Sequence, residues 1–229
     1  SGNTLIGTGV GFVNHGALAV FSGTLLVADG SSFEDGSRFV GSGIVRALTG
    51  SSFRGALHAE NLALSLGIFA PHQGDGAMIH GSVQWEGGAL SGSWGVAPGQ
   101  MLYLPGDIAA TKRIVGASSE LVNEGLLSWN RAMLSLEQGG RLVNAGLFEV
   151  DYITASDLNF GGDGSAGSSL SNAAGGTLRM AANRTLTITP EAGFVNARGT
   201  LAASGTMVFS GGSHLEHGSR FTRAGRSIR

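Results

Sequence analysis

The chain contains no cysteine, which excludes disulfide staples, thiolate catalysis and cysteine-ligated zinc while leaving every redox compartment open. Lysine is almost absent: Lys112 is the only one among 14 basic residues. A formal net charge of −2, with 13% charged residues, leaves no clustered basic face to neutralise phosphates, so nucleic acid is not an expected partner. No run of about 18 apolar residues occurs, so no helix is expected to cross a bilayer, and no secretory signal is visible. Only 4 prolines occur in 229 residues. Glycine, by contrast, is plentiful, with 40 copies scattered between short apolar runs and not gathered in one linker. Placed in this way it reads as turn punctuation. Apolar residues make up 42% of the chain, enough for the core of a single domain.

A long internal repeat is present. The segment Gly11 to Phe39 returns without a gap 182 places later, as Gly193 to Phe221, with 14 identities in 29 positions. Its opening Gly-Phe-Val-Asn and closing Gly-Ser-Arg-Phe are preserved. The second copy ends in TRAGRSIR where the first continues as VGSGIVRALTGSSF. Residues 1–229 therefore read as one repeat-built segment, expected to be an excerpt of a longer protein. The arginines at 220, 223, 226 and 229 read as a solvated end.

Between the glycines the apolar residues alternate with period two, as in Thr24-Leu25-Leu26-Val27, Met101-Leu102-Tyr103-Leu104 and Thr185-Leu186-Thr187-Ile188. These are short strands. The best helical candidates are Leu57 to Phe69 and Ala132 to Leu136, neither capped at both ends. A finer motif orders the strands: FVNHGALAV, LVNEGLLSW and LVNAGLFEV superpose, with looser copies at LSNAAGGTLRM and FVNARGTLAA. They place Asn14, Asn123, Asn144, Asn172 and Asn196 at equivalent positions, and the last four are separated by 21, 28 and 24 residues. A period in the twenties is one coil of a parallel β-solenoid. The residue two before each Asn of the three close copies, and those four and six after it, are large and apolar, which predicts an inward face. Asn suits the intervening turn because its amide bonds nearby backbone. It also bonds the amide above it if the coils stack in register. Isolated turns are the other reading, and both are structural.

The expected fold is thus all-β, a parallel β-helix (β-solenoid) of roughly ten coils, right-handed by the usual crossover rule. The run Gly81 to Gly106, with Trp85, Gly87, Gly88, Leu90 and Gly92 followed by Val96, Gly99, Leu102, Leu104 and Gly106, then the Asn-x-Gly units of Leu121 to Val150, resembles the repeats of large bacterial right-handed β-helix surface proteins. These are the autotransporter passengers and filamentous haemagglutinin-like adhesins. The resemblance implies export to the cell surface, a rigid elongated stalk or display role, and adhesion to a host or cell-surface glycan or protein, or self-association. No functional residue carries over.

Searches for chemistry yield little. Gly7, Gly9 and Gly11 lack the helix and acidic partner of a dinucleotide site. GGDGSAG (Gly161 to Gly167) is similar in part to calcium-binding nonapeptide repeats but occurs once, so it reads as a turn. His214 and His217 alternate sides on a strand. Thr185, Thr187 and Thr189 form too short a row for an ice-binding face. Neither catalytic residues nor metal or cofactor are expected. The alternative is a polysaccharide lyase or glycosidase, for which Asp151, Asp157, Asp163 and Glu149 are the acidic candidates. Such chemistry needs two carboxylates across one bond.

Overall fold

In the computed structural model the protein is a parallel β-solenoid of about nine turns. It describes residues 2–7, 9–28, 30–72, 74–106, 111–130, 133–150, 158–181, 185–210 and 212–223. No helix occurs among them, and every strand pairing is parallel. A typical turn has three short strands, such as Glu120–Asn123, Leu126–Trp129 and Leu134–Glu137. Each pairs with its counterpart one turn on, so three faces run the length of the molecule, here called first, second and third. The first and second faces join into one 19-stranded sheet because Gly55–Leu64 and Ala77–Trp85 run unbroken through the corner between them; the third face is a separate sheet of 10 strands.

Leu57 to Phe69 is therefore not a helix. Its residues form the strand Gly55–Leu64 and enter Ile68–Pro71. Leu57, Ala59, Leu62 and Leu64 are all buried. Leu57 and Ala59 share one side of a strand, as do Leu62 and Leu64, and a bulge separates the two pairs. That spacing imitates a helical stripe. Of the other helical candidate, Ala132 lies outside the described residues and Leu134 to Leu136 belong to the strand Leu134–Glu137.

The core follows from alternation. On the second face Leu25, Val45, Leu62, Val83, Leu102, Leu127, Phe148, Leu178 and Leu201 stack in one inward file. All but Leu25 are buried. Beside it Leu104, Trp129, Val150 and Met180 form a second file, also buried. Nearer the start, Phe33 stacks on Phe53 with ring centroids 5.2 Å apart, and Phe53 meets Trp94 at 5.3 Å. Each strand thus pairs with its counterparts in the turns beside it, while a large ring such as Trp94 reaches further, to Phe53; the repeated pairing is what lets a solenoid lengthen without a new core.

Candidate functional surface

At the end of the first-face strand the asparagines meet. Asn123, Asn144, Asn172 and Asn196 lie in register in four successive turns, and none is more than 1% exposed. The Asn123 amide donates to Asn144 Oδ1 at 2.7 Å, Asn144 to Asn172 at 2.8 Å, and Asn172 to Asn196 at 2.6 Å. Each of these three amides also donates to a backbone oxygen of the next turn: Leu147, Thr177 and Thr200 respectively. The file ends at Asn196, which donates to its own turn at Gly199 O and has Leu215 in register beyond it. It begins below Val96, an apolar neighbour, and Asn123 Oδ1 is accordingly buried without a partner.

Asn14 is outside this ladder. Its strand, Val13–Asn14, lies on the third face and pairs Asn14 with Phe33, and its amide donates to Gly16 O at 2.8 Å. Here the isolated turn is the right description. The two copies of the long repeat therefore occupy different faces, the first entering on the third and the second on the first. They nonetheless share the contacts around the Asn carbonyl. Ser37 Oγ donates to Asn14 O and Ser219 Oγ to Asn196 O, while Glu34 N and Glu216 N donate to the same two carbonyls.

Other corner residues gave no signal in sequence. Asn61, inside the mistaken helical stretch, donates to Val40 O, Gly41 O and Gly43 O of the preceding turn. Buried Ser119 accepts from Gly92 N and donates to Val115 O. Lys112, the single lysine, is wholly buried, its ammonium donating to Glu86 O at 3.2 Å and Pro105 O at 3.1 Å. A recurring Ser or one Lys in a glycine-rich chain carries no pattern until the turns are stacked.

Among the candidates for chemistry, Asp151 and Asp157 lie outside the described residues. Asp163 closes a turn: its carboxylate accepts from Ser165 N at 2.9 Å and from Gln138 N of the previous turn at 3.0 Å. The Ser165 hydrogen bonds hold its pKa below the usual carboxylate range. Glu149 lies on the outer side, paired with Arg179. Five other carboxylates are engaged in the same way, Glu86 with Arg46, Glu34 and Asp75 with Arg54, Glu137 with Arg113, and Glu120 with Arg141, while Asp35, Glu60, Glu124, Glu191 and Glu216 enter no ion pair among the described residues. Among the described residues no group of three His, Cys, Asp or Glu converges as a metal site. Nor is any helix among them long and apolar enough to cross a membrane.

No family model, curated protein or solved structure matches this chain. Its outer faces therefore have to be read directly.

One place on the outer faces gathers unpaired polar groups around a cavity. On the first face Arg38, His58 and His80 follow one another in register on three successive turns, and the two imidazoles stack with centroids 5.1 Å apart at 27°. Beside them lie Glu60, Gln100 and Gly81, around a shallow cavity of about 300 Å³. Gln100 Oε1 accepts from Gly81 N at 2.6 Å, which fixes that side chain across the groove floor. Gly81 cannot carry a side chain there, since a Cβ would stand 2.0 Å from Ala59 O. Neither Arg38 nor Glu60 enters any of the ion pairs found among the described residues.

Proposed function

We propose that this chain is a structural stalk or display segment of an exported bacterial surface adhesin, with no reaction of its own. The observation that supports it is the solenoid itself: about nine parallel turns, each strand paired with its counterparts in the turns beside it. An architecture of this kind sets a fixed distance between whatever lies at its two ends. The ion pairs on six of the carboxylates fit the same reading, since a carboxylate held by an arginine is not free for acid–base work. The resemblance of the Trp-x-Gly-Gly and Asn-x-Gly units to adhesin repeats supplies the location, outside the cell.

Antibodies raised against the purified segment test this on intact cells that naturally produce it. Labelling without permeabilisation is expected; labelling only after permeabilisation contradicts it. The alternative, a polysaccharide-degrading β-helix enzyme, has in its favour the long outer faces and the free Glu60. A cleavage screen over acidic and neutral polysaccharides decides between the two, because turnover belongs to the enzyme alone.

A further inference from the structure

In the groove on the first face an arginine and a glutamate line one cavity and neither enters an ion pair among the described residues. Arg38 and Glu60 occupy adjacent turns, with Glu60 two residues beyond His58, the register partner of Arg38. Where an arginine has a carboxylate as its direct register partner the two pair, as Arg141 does with Glu120 and Arg179 with Glu149, but the register partner of Arg38 is His58. Here both keep their hydrogen-bonding capacity for something else. Arg38 offers a planar fork of donors suited to a carboxylate, Glu60 offers acceptors, and Gln100 has its amide donors available because its oxygen is already taken by Gly81. The stacked imidazoles between them add two more polar edges.

We propose that this groove binds a saccharide carrying a carboxylate, lying along the solenoid axis. The carboxylate sits on Arg38, and the ring hydroxyls donate to Glu60 and accept from Gln100 and the imidazole edges. A neutral sugar would leave Arg38 unused, and a simple anion would meet the repulsion of Glu60. A ligand with both an acidic group and neighbouring hydroxyls uses both. The dimensions agree: Arg38 to His80 spans two turn spacings, about 10 Å, the length of roughly two sugar units. The proposal rests on the adhesin reading, for it gives the segment a ligand and no turnover.

The experiment titrates the full chain by calorimetry with a galacturonate trimer and, separately, with its methyl ester. Binding of the acid, weakened about tenfold or more by the ester and by Arg38→Gln, is the expected result. Glu60→Gln is expected to weaken it as well, whereas Arg141→Gln, remote from the groove, leaves it unchanged. Equal affinity for acid and ester, equal loss from Arg141→Gln, or no binding at all would overturn the proposal. The last of these leaves the stalk reading intact, since it is judged by surface labelling. Following absorbance for new unsaturated ends during the same titration separates the two further: binding with chain cleavage overturns both readings. A circular dichroism melt of each variant confirms that the chain is folded.

Discussion

Asparagine at a buried corner costs free energy unless its donors and acceptors are met, and in the ladder each of the Asn123, Asn144 and Asn172 amides meets its donors with two oxygens of the next turn, leaving Asn123 Oδ1 as the one orphan. Asn144→Leu removes the central link, leaving Asn172 Oδ1 without its donor and the Asn123 amide without Asn144 Oδ1. It is expected to lower stability by about 1 to 3 kcal/mol in urea unfolding. Glu149→Ala, which breaks a partly exposed ion pair, is expected to change it by no more than about 0.5 kcal/mol. The orphan oxygen of Asn123 permits a sharper test. Val96→Thr places a hydroxyl donor in register beneath it, whereas Val45→Thr buries the same hydroxyl in an apolar file. Val96→Thr is expected to be the milder of the two by about 1 kcal/mol or more. Matching losses would show that the oxygen needs no partner. The sequence named all five asparagines but not which of them stack, because Asn14 and Asn196 share a local motif and differ only in what the neighbouring turns provide.

At the scale of the strand and corner, the glycine of Asn-x-Gly has a steric cause. Coils approach so closely there that a Cβ on Gly146 would lie 2.3 Å from the backbone oxygen of Gly125. Gly146→Ala is expected to destabilise by about 1 to 3 kcal/mol, since the obstruction is backbone and has no rotamer to escape into. Gly161→Ala, whose nearest contact is the Thr189 hydroxyl at 3.5 Å, is expected to be milder. Thermal melts of the two variants compare them directly. Strands were legible wherever Leu or Phe alternated with small residues, as in Leu142 to Val150. They were misread at Leu57 to Phe69, where one corner is smoothed into the long strand Gly55–Leu64 and the bulge between Ala59 and Leu62 shifts the period. The groove was not legible at all. Arg38, His58 and His80 are 20 and 22 residues apart, and only the stacking of turns of those lengths makes them neighbours.

Across the whole molecule the long repeat shows how little a coil is tied to one face. Gly11 to Phe39 and Gly193 to Phe221 keep the serine and glutamate hydrogen bonds to the Asn carbonyl while starting on different faces, because each face asks for the same thing, apolar residues inward and a tight polar corner. Lys112 reports on the integrity of the stack. With its ammonium buried, peptide mapping after brief exposure to an amine-reactive reagent is expected to find it unmodified in the native chain and modified in urea. Native labelling at the rate of the unfolded chain would mean that its turn opens freely. A spacer must in addition be rigid along its length, and the absence of cysteine makes this measurable with paired spin labels on the outer file Ala56, Met78, Val122, Val143 and Val195. Double electron–electron resonance on the pairs Ala56–Val143, Met78–Val195 and Ala56–Val195, separated by four, five and six turns, is expected to give narrow distributions near 19, 24 and 29 Å, rising by about 4.8 Å per turn. Distances that fail to rise with the number of turns, or distributions broader than several turn spacings, would contradict a rigid solenoid stalk.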